Sequence, residues 1–207
     1  MFVSEESNAQ NKNTTENSEE CLRNVVLFVQ NTPNPNAKKF ITNFEVKSVG
    51  KVSYTDLAAC EHVPLAAALL KLANVTQVHF FENVLTITQN GASPWDDLQK
   101  VVGDVIKELL PQHQPLFDDK IPKMSRTTLE SLNPEVALIE EILDRTIRPG
   151  LQADGGDVEV VELDGNILTV QYQGACGGCP SSMMGTLQAI ESILRTEFNP
   201  YLEVVAL

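Results

Sequence analysis

The chain has 207 residues, enough for one large domain or two small ones, and is 43% hydrophobic and 21% charged. A formal net charge of −13 argues against nucleic acid as a partner, because that binding depends on Lys and Arg neutralising phosphates. It argues equally against an anionic membrane surface, and no apolar run approaches the roughly 18 residues of a membrane-spanning helix.

Residues 1–24, MFVSEESNAQNKNTTENSEECLRN, are polar and acidic. They lack the basic start and apolar stretch of a secretory signal, and the Arg-rich, acid-poor character of an organelle transit peptide. Their composition predicts a disordered acidic tail. Four Cys without a signal peptide predict a reducing compartment. A bacterial cytoplasm is expected, or the mitochondrial matrix or a plastid if the source is eukaryotic.

A first module is expected over residues 25–110. VVLFVQ (25–30) is a short strand pattern, NTPNPN a turn, and KKFITNFEV a returning strand. Pro64 opens a helix with Leu65, Leu69 and Leu72 on one face. QVHFF and VLTIT form a hairpin around Glu82-Asn83. SPWD starts another helix, with Ser93 as N-cap, Pro94 in the first turn and Asp96 as capping partner. Leu98, Val102, Val105 and Leu109 mark its apolar stripe. Residues 111–133 hold three prolines and no sustained period, and read as a linker.

A second module follows over residues 134–207. Asn133 caps a helix carrying Val136, Ile139, Ile142 and Leu143, which should end near Arg148-Pro149-Gly150. DVEVVEL and ILTVQYQ form a hairpin across Asp164-Gly165-Asn166, with Leu168, Val170 and Tyr172 on one face. Met183, Leu187, Ile190 and Leu194 make a further helix, and YLEVVAL a last strand. The fold class is α+β: two small layered domains joined by a flexible linker, the second in the order α-β-β-α-β.

GACGGCPSS (174–182) carries the chemistry. Cys-x-x-Cys lets two sulfurs meet one metal or adjacent irons, and Gly177 and Gly178 permit a tight turn with unobstructed amides. Cys179 opens a helix, whose positive end favours thiolate. Thiolates suit iron–sulfur clusters or zinc. A thiol–disulfide oxidoreductase also places Cys-x-x-Cys at a helix start, but here a hairpin precedes it and Ala175 stands where an aromatic residue would be expected. Redox catalysis, a structural zinc module, an acidic adaptor working through its first module alone and a plain turn all remain open on the residues alone.

Cys21 in the tail and Cys60 beside His62 do not complete a four-sulfur site. His79 and His113 read as packing or solvated residues, and no His is placed to activate the loop thiols. Two chains, each giving Cys176 and Cys179, complete the set most simply. DGGD (154–157) reads as a turn rather than a carboxylate metal site, Met183-Met184 as core packing, and Glu140-Glu141 as a solvated face.

RTIRPGLQADGGDVEVVELDGNILTVQYQGACGGCPSSMMGTLQAIESIL, with IRP, DGGDVE and GACGGCPSS at these intervals, resembles the C-terminal NifU-like (Nfu) domain of iron–sulfur cluster scaffold and carrier proteins. NTPNPNAKKF, with PLAAALLKL and SPWDDL, resembles the Nfu N-terminal domain. The resemblance implies a protein that is not an enzyme. It would bind a [4Fe–4S] cluster bridging two subunits through Cys176 and Cys179, form a cluster-dependent homodimer, and deliver the cluster to apo-proteins. Cluster-assembly factors are implied as further partners, met in part by the N-terminal module. Gln188 stands where many relatives carry Lys, which leaves the helix after the loop less basic.

Overall fold

The structure is a computed structural model that describes residues 24–117, 133–178 and 180–207. The expected acidic tail, but for Asn24, and most of the expected linker lie outside the described residues.

The first unit is an antiparallel sheet of β1 (Leu27–Asn31), β2 (Ala37–Thr42), β3 (Lys47–Tyr54), β4 (Val75–Glu82) and β5 (Val84–Gln89), in the order β1-β2-β5-β4-β3. Alternation sends Phe40, Val52, Val78, Phe80, Leu85 and Ile87 into one core. Helices α1 (Leu57–Cys60), α2 (Pro64–Leu70) and α3 (Trp95–Leu109) cover it through Cys60, Leu65, Leu69, Leu98, Val102 and Ile106. The intervening strand residues Lys51, Ser53, Gln77, His79, Thr86 and Thr88 are polar and share the opposite face.

Three expectations need correction here. KKFITNFEV is not one returning strand: β2 ends at Thr42, and β3 begins only at Lys47. Sequence reading missed β3 because Ser48, Val49 and Gly50 are all exposed and its register with β4 shifts between Lys47 and Lys51, which breaks the period of two. Ser93 does not cap α3; Pro94 holds that position without a side-chain bond, while Ser93 Oγ accepts from Asn74 Nδ2 at 2.5 Å. The start of the expected linker is fixed on this unit. His113 Nε2 lies 2.7 Å from the Val46 carbonyl, Pro115 O accepts from Ser48 N, and Phe117 packs on the core.

The second unit comprises α4 (Pro134–Thr146), α5 (Arg148–Ala153), β6 (Gly156–Asp164), β7 (Ile167–Gly174), α6 (Pro180–Glu197) and β8 (Glu203–Ala206). The order is the α-β-β-α-β expected, with one helix more. Asn133 caps α4 by accepting from Glu135 N at 2.9 Å. Pro149, expected near a helix end, instead lies in the first turn of α5. The sheet order is β6-β7-β8; β6 and β7 form the antiparallel hairpin, and α6 carries the chain over to β8, which runs parallel to β7. Ile139, Leu143, Val158, Val160, Leu168, Val170, Ile190 and Leu194 fill the core.

Glu140 is no solvated acid. It is 3% exposed and meets Arg148 Nη1 at 2.5 Å, while Glu141 is exposed. The same guanidinium donates to Asp144 at 2.7 Å and, through Nε and Nη2, to the Val158 carbonyl at 3.1 Å. Arg148 of the IRP stretch therefore ties α4, α5 and β6 together. Burial opposes its charge, but the hydrogen bond and charge of Glu140, with Asp144 and Asp157, outweigh that and raise its pKa. Met184 is 68% exposed and packs no core, because it projects from the first turns of α6 away from the Ile190–Leu194 stripe. The side chain of Met183 lies outside the described residues.

Candidate functional site

The Cys-x-x-Cys loop leaves the end of β7, makes a 3-10 turn over Ala175–Gly178 and enters α6. The tight backbone falls earlier than Gly177: Gly174 holds φ 61, and a Cβ there would stand 3.0 Å from Gly156 Cα. Ala175 N donates to the Gly155 carbonyl at 3.0 Å, which fastens the loop to the DGGD turn. Gly156 lets the loop close on that turn, since a Cβ at 156 would meet Cys176 N and Cβ at 2.9 Å and Sγ closer still.

Cys176 is 8% exposed, and its thiol turns inward among the residues of the second core. The neighbouring Tyr172 hydroxyl is pushed up to about 12, mainly by burial and further by its closeness to Cys176. Cys179 lies outside the described residues, as does Cys21. Cys60 is fully buried in the first core, where its thiol donates to Leu57 O at 3.4 Å and burial raises its pKa. His62 lies edge-on to Tyr54, and His113 stacks on Phe80 at 5.8 Å, both parts of an aromatic cluster rather than ligand sets. Among the described residues no group of three or more His, Cys, Asp or Glu could hold a metal within one chain.

The polar face of the first sheet lies against this loop, with β4 and β5 packed on β7 and β5 on the 175–178 turn. Asn34 of the NTPNPN turn donates through Nδ2 to the Ala175 carbonyl at 2.9 Å. The Gln77 amide comes to 3.5 Å from where a Cβ of Gly177 would stand, and the His79 ring lies beside Gly174. Lys39 Nζ donates to the Ala153 carbonyl. Lys51 Nζ meets Asp157 Oδ1 at 2.5 Å, and Asp157 is 0% exposed, also receiving Gln152 Nε2 and lying 3.5 Å from Arg148 Nε. Burial lowers the Lys51 pKa and the Asp157 charge works against that lowering. His79 is fully enclosed, with Nδ1 at 2.8 Å from Ser53 Oγ; burial is the main cause of a pKa lowered to about 4, Asp157 raising it and Lys51 lowering it.

Sequence reading missed this seam. DGGD was expected as a turn, and its Gly155 at φ 81 is one, but nothing local marks Asp157 as half of an ion pair with a residue 106 positions earlier. The polar alternation of β3, β4 and β5 was the one signal, and it reads equally as a face open to water.

Two family models match this architecture. Residues 27–113 match the scaffold protein Nfu/NifU N-terminal model, and residues 139–205 match the NifU-like domain. The chain belongs to the Nfu/NifU family. It is 32% identical over 176 residues to NifU-like protein 4, mitochondrial, of Arabidopsis thaliana, covering 83% of this chain and 62% of that protein. It is 30% identical over 174 residues to the NFU1 iron-sulfur cluster scaffold homolog, mitochondrial, of Drosophila willistoni, covering 84% of this chain and 60% of that protein. This Nfu chain thus spans a little under two thirds of the length of these curated relatives.

Proposed function

We propose that this Nfu chain is an iron–sulfur cluster scaffold and carrier, with the cluster as its cargo. Cys176 and Cys179 are the ligands, and two chains supply four thiolates to one [4Fe–4S] cluster, which then passes to apo-proteins. The observation that carries the reading is the place of Cys176, on a glycine-rich turn between a strand and a helix inside the NifU-like domain. Thiolates on such a turn suit transfer, because an incoming client thiolate can replace one ligand at a time. A half-site per chain ties affinity to dimerisation, so the cluster is protected in the dimer and surrendered as the dimer parts. The donor chemistry fits an iron–sulfur cargo once the 175–178 turn rotates the Cys176 sulfur outward. No catalytic residue is assigned. The relatives' names carry the word mitochondrial, which favours the organellar compartment over a bacterial cytoplasm.

Anaerobic reconstitution of the full chain tests this. Iron and sulfide should bind at about four each per two chains, with a monomer-to-dimer shift, and Cys176→Ser and Cys179→Ser should each abolish both. Normal iron and sulfide binding by those variants refutes the assignment. Zinc in their place supports a structural metal module, and metal-free disulfide reduction supports an oxidoreductase.

A further inference from the structure

The loop that carries Cys176 is held from two sides. Its own domain holds it through Ala175 N to Gly155 O and the close approach of Gly156. The first domain holds it through the Asn34 bond to Ala175, with the Gln77 amide and the His79 ring close to where Cβ atoms of Gly177 and Gly174 would stand. Lys51 to Asp157 anchors the turn behind it.

The seam differs from a permanent core. The sheet face that forms it is built of Lys, Ser, Gln, His and Thr, the pattern of a strand face suited to water. The buried hydroxyls of Thr86 and Thr88 on that face have no hydrogen-bond partner among the described residues, and such groups weaken an interface. A cleft of about 230 Å³, lined by Ser53, Asp56, Gln77, Gln171 and Gln173 among others, runs between the two domains. Closure is therefore polar, imperfectly satisfied and incomplete, as in domain contacts that open.

We infer that the polar face of the first sheet is a reversible latch on the cluster loop: docked through Lys51–Asp157 and Asn34–Ala175, it holds Cys176 turned inward, and its release frees the thiol. The ligand role of Cys176 rests on the reading above; the latch itself does not. In the docked form the first domain covers part of the loop, at Ala175 and along the 175–178 turn, and leaves less of it open to a second copy of this chain or a client thiol. Loading and handover then begin with separation of the two domains, and anything that binds the polar sheet face opens the loop.

Alkylation of the reduced, cluster-free full chain by iodoacetamide, mapped residue by residue, tests the latch. Lys51→Glu sets two carboxylates against each other at the seam, and the rate at Cys176 should rise tenfold or more. Cys60, sealed in the first core, reports unfolding of that domain, and amide exchange along β6 and β7 reports the second; both should be unchanged. If Lys51→Glu exposes Cys60, Lys51→Met, which keeps the stem and removes only the charge, takes its place. An unchanged Cys176 rate in a folded variant overturns the latch, and so does a rise that only tracks exchange of β6 and β7. Because no cluster enters the measurement, this failure is distinct from failure of reconstitution.

Discussion

Arg148→Leu isolates the ion network that holds the second domain together. The guanidinium is 3% exposed and contacts Glu140 at 2.5 Å, Asp144 at 2.7 Å and the Val158 carbonyl at 3.1 Å. Asp144 is 45% exposed, so its share is the roughly 0–1 kcal/mol of a surface pair. Glu140 decides the cost, because it is 3% exposed and Arg148 is its ion-pair partner at 2.5 Å. Breaking a buried pair from one side costs about 3–5 kcal/mol, a large part of the roughly 5–15 kcal/mol that holds a domain. The lone tryptophan, Trp95, lies in the first domain and is blind to this loss, so amide exchange along β6 and β7 in the full chain is the assay. Arg148→Leu/Glu140→Leu should recover much of the loss, since replacing both charges leaves none stranded. A single variant costing under about 1 kcal/mol, or a double variant costing more than the single, refutes the argument.

Two further outcomes follow from the loop and the seam. Gly156→Ala places a Cβ 2.9 Å from the Cys176 backbone nitrogen, and overpacking of that kind costs about 1–3 kcal/mol; an unshifted unfolding midpoint and unchanged 174–177 amide spectra would refute it. His79 is neutral when folded, with a pKa of about 4 against 6.5 free. Its contribution is intact above pH 6.5 and declines by roughly 3 kcal/mol as pH falls to about 4, because the unfolded chain takes up the proton first. Denaturant midpoints from pH 7.5 to 4 measure the decline, which His79→Gln should flatten. A ring that titrates near 6.5 in the folded chain by proton NMR contradicts the assignment.

Local chemistry made most of the scaffold legible. Asn133-Pro134 and Asp164-Gly165-Asn166 are short signals whose geometry is set within four residues, and both appear in the structure as a helix cap and a hairpin turn. Periodicity placed Leu168, Val170, Ile190 and Leu194 in one core for the same reason. What stayed hidden depends on how neighbouring elements fold back on one another. Glu140 and Glu141 look alike in sequence, and only the turn between α4 and α5, which brings Arg148 back over α4, buries one and leaves the other in water. β3 was lost because a bulge interrupts the alternation that sequence reading counts. Cys176 was legible as a thiol on a turn, but its burial against Gly156 in the second core is not encoded by the spacing of Cys176 and Cys179.

The chemistry of the seam also bears on why this protein has a first domain at all. A half-site thiol on an exposed turn would be open to oxidation and stray metals whenever no cluster is bound. An apolar cover would protect it, but hydrophobic burial grows with every square ångström covered and would make the cover hard to remove. A face of Lys51, Ser53, Gln77, His79 and Thr86 covers the loop while contributing little net free energy, since each polar contact replaces one with water. Tethering by the same chain then does what surface area does not, holding the weak face near the loop at high effective concentration. Such a cover yields to a partner that offers the sheet face, or the thiol, slightly more than the loop itself does, and that is the energetic position the proposed carrier role would require.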